Sequence, residues 1–176
     1  MADLVGFTNT CAARSGGVKA IYLSTAANVT TFTDTTNVWT AVTMVSSKVF
    51  KKYEFEVDTA ELRLEDTVEN GSYMQKATIE LNMPAIHAAQ IATIKEFVNE
   101  SPCGMIAIVE LNTLVGAASE KIVIGYNLTS LKERPLKLES NTGTSGKLLT
   151  DLTGFTPLLS ASSPVPYHTA VLTIPV

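Results

Sequence analysis

The chain has 176 residues, is 45% hydrophobic and 17% charged, and carries a formal charge of -4. One domain with a substantial core is the default at this length. The mild acidity argues against an electrostatic grip on nucleic acid, which needs a basic patch, and no apolar run reaches the length of a membrane span.

Residues 1–17, ending in Ser15-Gly16-Gly17, are small and polar and read as an N-terminal arm. They lack a basic region followed by an apolar core, so neither signal-peptide export nor membrane insertion is expected. The sequons at Asn28, Asn70 and Asn127 are then chance matches in a Thr-rich chain. Cys11 and Cys103 are too few and too widely spaced for a zinc module, and free thiols are expected. VKAIYLS (18–24) reads as a partly buried strand, Asn28 to Phe32 as a short one, and VWTAVTMV (38–45) as a third.

The stretch from Val49 to Met83 is the most informative. Glu69-Asn70-Gly71 sits between two alternating runs, a strong hairpin signal. Alternation already begins near Val49, so the first arm would be about 17 residues, or roughly 55 Å at 3.3 Å per residue. Its apolar phase slips from Phe55 and Val57 to Ala60, Leu62 and Leu64. A one-residue slip within one strand requires a bulge, which we place near Asp58 to Ala60. Glu54, Glu56, Asp58, Glu61, Glu65, Asp66 and Glu69 crowd the same arm. A solvated outer face is the plain reading of these acids. The length of the arm argues against it, because a long isolated ribbon exposes unpaired edges. Pairing with identical neighbours in a closed ring would remove those edges.

Pro84 is expected to open the one helix, 85–100, with Ile91, Ile94 and Val98 on one face and Phe97 beside them. Ser101-Pro102-Cys103-Gly104 stops it. Residues 105–111 and 121–128 read as central strands, and 134–139 as a shorter one. Residues 141–146 read as a loop, 148–159 as a hairpin, and 160–176 as an extended C-terminal segment punctuated by Pro164, Pro166 and Pro175. The sandwich domain itself is assigned to 18–159, with a mainly β (α+β) fold.

No catalytic or metal site is expected, and no cofactor. Thr142 to Leu148 superficially resembles a phosphate loop, but Asn141 stands where the first glycine belongs and Leu148 where the magnesium hydroxyl belongs. Asp151-Leu152-Thr153-Gly154 fits a simple turn better than an aspartic-protease motif. His87 has no ligand partner at helical spacing, and His168 is expected to be exposed. Seven acids in a row lack the contrast of environment that separates an acid from a base in glycoside hydrolysis, and no EF-hand spacing is present.

Gly16-Gly17-Val18-Lys19, Ile21-Tyr22-Leu23 and the hairpin with Glu69-Asn70-Gly71-Ser72-Tyr73 resemble tail tube (major tail) proteins of tailed bacteriophages, notably those infecting Bacteroidetes. The resemblance continues through Ile106 to Glu110, Gly125-Tyr126, Asp151 to Phe155 and Ser163 to Tyr167. It implies a β-sandwich with a long hairpin and one flanking helix, joined into stacked, sixfold rings that conduct the genome. It further implies a lumen lined by Glu54, Glu56, Asp58, Glu61, Glu65 and Glu80, whose charge would keep DNA sliding. Tyr53, Phe55, Val57, Leu62, Leu64, Ile79 and Leu81 would face the sandwich core, and Val57, Leu62, Leu64, Tyr73, Ile79 and Leu81 would build the assembly hairpin. Partners implied are further copies, other tail proteins (terminator, tape measure, baseplate) and transiently passing duplex DNA, with no membrane. The virion tail, after assembly in host cytoplasm, is the implied location. A terminator, connector or baseplate ring of the same fold is the alternative, distinguished by copy number. A monomeric β-sandwich binding module would show clustered aromatics, whereas those here are scattered.

Overall fold

The computed structural model describes residues 17–54, 59–84, 86–115, 118–145 and 153–176. In chain order the elements are β1 (Val18–Thr25), a 3-10 turn (Ala26–Asn28), β2 (Val29–Thr35), β3 (Val38–Met44), β4 (Lys51–Glu54), β5 (Ala60–Glu69) and β6 (Ser72–Leu81). Then come β7 (Met83–Pro84), α1 (Ala88–Glu100), β8 (Met105–Val115), β9 (Ala118–Ile124), β10 (Lys137–Thr144), β11 (Gly154–Ser163) and β12 (Thr169–Ala170). The fold is mainly β, with one α-helix among the described residues.

Two sheets carry it. The larger has the order β2-β3-β12-β9-β8-β1-β4, and the smaller has β10-β11-β6-β5, with β7 beside β11. β1 and β8 are central strands whose residues are buried on both faces, which is why IYL (21–23) and MIAIV (105–109) are nearly continuous apolar runs. One core lies between the sheets. It joins Ile21, Leu23, Ala107, Val109 and Ile124 to Ala77, Ile79, Leu81 and Leu159, with Phe97 of α1 packed against it. The second core lies on the opposite face of the larger sheet, where Val29, Phe32, Trp39, Phe50, Ile106, Ile108, Tyr126 and Leu172 meet. The Phe32, Trp39 and Tyr126 rings stand 4.9 to 5.6 Å apart there.

Several expectations are corrected. The arm beginning near Val49 is not one strand. β4 pairs with β1 in the larger sheet, whereas β5 pairs with β6 in the smaller one. The chain therefore passes from one sheet to the other between Glu54 and Ala60. The bulge positions at Asp58, and Phe55 and Val57, lie outside the described residues.

Pro84 belongs to β7, and the helix starts at Ala88, after His87. Its seam runs through the half-buried Ile94 and buried Phe97, while Ile91 and Val98 are exposed. Residues 141–144 are strand, so the late hairpin is β10–β11, closed at Thr144↔Gly154. β11 runs to Ser163, so the extended C-terminal segment begins beyond residue 160. The strand expected over 121–128 ends at Ile124.

Gly125 shows why the chain leaves β9 there. Its φ is +84°, and a Cβ would lie 2.7 Å from the Met105 carbonyl oxygen and 2.9 Å from the Leu136 amide nitrogen. Those two residues bond each other's backbone at 2.8 Å in both directions. Gly125→Ala is therefore expected to destabilise the fold by about 2–4 kcal/mol, combining left-handed strain with a backbone clash. Denaturant unfolding measures it, and a loss below about 0.5 kcal/mol would contradict the packing described.

Candidate assembly surface

The β5–β6 hairpin closes through Asn70 and Gly71 at φ +50° and +79°. Positive φ at both positions gives the turn whose twist matches the flanking strands, and Asn-Gly supplies it at low cost. The ladder is in register from Glu69↔Ser72 to Ala60↔Leu81. On the inner face Ala60, Ala77, Ile79 and Leu81 are buried and Leu62 is half-buried. Toward the turn that face loses its cover: Leu64 is 39% exposed and Val68 69%. Among the described residues β5 has no second neighbour, so one side of a ten-residue strand is an open edge. β10 is the opposite edge of the same sheet.

The expected channel residues are only partly gathered. Glu61, Glu65 and Glu80 share the outer face, where Glu61 stands directly opposite Glu80. Glu69 and Glu139 join them, against Arg63, Lys76 and Lys137, giving five carboxylates and three bases. Arg63 approaches Glu65 at 3.6 Å, and Lys76 pairs with Glu139 at 3.2 Å. Hydrogen bonds from Ser160 and Lys76 hold Glu139 below the usual carboxylate range. Glu54 belongs to β4 in the other sheet, opposite Ala20, and Glu56 and Asp58 lie outside the described residues.

Of the expected assembly residues, Ile79 and Leu81 are fully buried inside the subunit and cannot reach a neighbour. Leu62 packs against the same core. Leu64 and the half-buried Tyr73 remain available, while Val57 lies outside the described residues. Tyr53, expected to face the core, packs its ring 5.7 Å from Phe97.

Asp66 faces inward, not with the other acids. Its Oδ1 accepts the Tyr73 hydroxyl at 2.8 Å and Gln75 Nε2 at 2.7 Å. Partial burial and the bond to Asp66 raise the Tyr73 phenol above its ordinary range. The alternating pattern could have assigned Asp66 to this face, since it follows Ala60, Leu62 and Leu64 at steps of two.

A second polar cluster was not foreseen. Glu110 of β8 is buried, accepting Lys19 Nζ at 2.7 Å and the Tyr22 hydroxyl at 3.0 Å. Burial alone would raise its pKa, but the bonds from Lys19 and Tyr22 and the Lys19 charge outweigh it and lower the carboxyl below its ordinary 4.5. A depressed carboxyl stabilises the fold fully above that ordinary value, and the contribution vanishes as pH falls through the lower folded-state value. Glu110→Ala is thus expected to cost roughly 2 kcal/mol at neutral pH and progressively less in acid. A loss independent of pH between 7 and 2 would contradict the charged pairing.

His168 is half-buried rather than exposed, with Nδ1 3.5 Å from Asp34 Oδ1 and its ring 5.4 Å from that of Trp39. His87 is exposed at the N-cap of α1. The exposed Cys103 is a free thiol. Among the described residues no group of three or more His, Cys, Asp or Glu converges on one point, and no helix is long and apolar enough to cross a membrane. A cleft of about 280 Å³ separates α1 from the edge strand β4 and is lined by Leu23, Val49, Tyr53, Phe97 and Met105, with Glu96 and Glu100 at its margin. No family model matches the chain, and neither does any curated protein or solved structure.

Proposed function

We propose that the protein is a structural subunit of a bacteriophage tail tube, forming stacked rings whose hairpin sheet lines a channel for the genome. The observation that carries this reading is the edge of β5, which has no partner among the described residues, with Leu64 and Val68 uncovered beside it. An open edge of this length is a template for another chain, and monomeric proteins normally blunt it. Repeating one subunit around a closed ring brings its β5 edge toward the β10 edge of the next copy, and closure leaves no edge free.

The outer face of the same sheet then becomes the inner wall. Its carboxylates outnumber its bases, and Glu61 opposes Glu80 at a cost of roughly 0.5 kcal/mol in a lone subunit. Facing a channel, that repulsion is set against phosphates, and low-dielectric walls focus the field. DNA passes without a site that holds it. Further copies and other tail proteins are the partners of this subunit, and the virion tail is its location.

Negative-stain electron microscopy of concentrated protein tests the reading. Tubes of stacked rings are the expected result. Single rings that never stack would transfer the subunit to a terminator, connector or baseplate role, and a strict monomer would refute ring formation.

A further inference from the structure

The last ten residues form a strap across the larger sheet. β12 lies parallel to β3 and antiparallel to β9, and it is the only described strand bonded to both. The Val171 amide donates to the Trp39 carbonyl, the Val123 amide to that of His168, and the Phe50 amide to that of Pro175. Ala170 and Leu172 are the only buried side chains between residues 167 and 176. At the seam, Trp39 Nε1 is buried without a hydrogen-bond partner, while Asp34 Oδ1 and His168 Nδ1 face each other at 3.5 Å without making a hydrogen bond. At the strap's start the Tyr167 amide donates to Gln75 Oε1 at 2.8 Å, and Gln75 Nε2 donates in turn to Asp66 of the hairpin.

We propose that residues 167–176 are a latch that opens as a unit while the sandwich stays folded, and that the chain Asp66–Gln75–Tyr167 ties its opening to the state of the hairpin. A two-residue ladder, only two fully buried side chains beside the partly buried Tyr167 and Ile174, and the unpartnered Trp39 Nε1 and Tyr167 hydroxyl put this segment at the low-stability end of the molecule. Pro164 and Pro166 fix φ just before it, so the strap swings from a stiff lead rather than unravelling the rest of β11. Opening breaks the only described strand ladder between β3 and β9 and uncovers Trp39.

The Gln75 side chain can serve the strap only while Asp66 holds its amide nitrogen, and Asp66 in turn holds Tyr73. Anything that covers the Leu64–Val68–Tyr73 end of the hairpin therefore steadies the strap. This inference does not depend on the tail-tube reading, because it concerns the single subunit.

The only tryptophan lies in the seam, so acrylamide quenching of its fluorescence, alongside hydrogen exchange of the full-length chain, reads the opening. The Val171 and Phe50 amides are expected to exchange together, ahead of those of β1 and β8. Gln75→Ala should enlarge the open population roughly five-fold, as loss of one typical hydrogen bond does. It should raise Trp39 quenching while protection of β1 and β8 stays unchanged. Asp66→Ala, which leaves Gln75 in place, should move Trp39 quenching in the same direction and also serves if Gln75→Ala fails to fold. Strap amides that exchange only with global unfolding would overturn the latch. Unaltered Trp39 quenching in Asp66→Ala would overturn its tie to the hairpin.

Discussion

Replacing Leu64 and Val68 together by lysine is expected to hold the chain as a monomer at concentrations where the parent forms rings. Both residues lie on the inner face near the turn, beyond the reach of the core, so the subunit itself has little to lose. Surface changes of this kind alter stability by about 1 kcal/mol or less. Inward-pointing lysines on an edge strand are also the device by which natural sheets refuse a neighbour. Sedimentation velocity measures the assembly, and denaturant unfolding the subunit. A double variant that is folded and still forms rings would remove the hairpin edge from the interface.

The second large effect is expected from inverting the charge of the outer face. Glu61→Lys with Glu65→Lys turns five carboxylates and three bases into three and five. The subunit should barely register the change. Glu61→Lys converts a repulsive pair with Glu80 into an attractive one, Glu65→Lys sets a like charge opposite Lys76, and each is worth roughly 0.5 kcal/mol. Assembled rings should nevertheless bind duplex DNA, with affinity falling steeply as salt rises because each phosphate contact releases counterions. Over a Debye length of about 8 Å at physiological salt, a wall close to the duplex is felt in full. Filter binding at two salt concentrations, with microscopy to confirm intact tubes, gives the comparison. Tubes that ignore DNA as the parental ones do would return this face to a plain solvated surface.

How far the sequence revealed this arrangement depended on whether a pattern was local. The Asn70-Gly71 turn and the alternation of β6 were legible because turn geometry and a period of two act over a few residues. Ile79 and Leu81 lie on the expected face for the same reason. The phase slip before Ala60 was legible as well, but its meaning was not. A bulge and a change of sheet leave the same trace in one strand, and only the partners of β4 and β5 show that the chain changes sheet here. Glu54 was joined to the acidic wall by the tail-tube resemblance, whereas its strand β4 pairs with β1 in the larger sheet. The inward turn of Asp66 could have been read from its parity, yet its role depends on Gln75 and Tyr167, the latter about a hundred residues away. Glu110 was hidden likewise, since its partners Lys19 and Tyr22 sit on β1, far off in the chain. The helix seam was misplaced by one stripe because Phe97, the bulkiest residue available, fills the core in place of Ile91 and Val98.

The central claim is that identical subunits close into rings with the β5–β6 sheet facing inward. A cryo-electron microscopy map of the assembled protein, at a resolution that traces strands, tests this most directly. The account expects β5 of each subunit beside β10 of the next, with Glu61, Glu65 and Glu80 pointing into an open channel. Rings in which that face lies on the outer surface, or a protein that stays monomeric at every concentration, would contradict it.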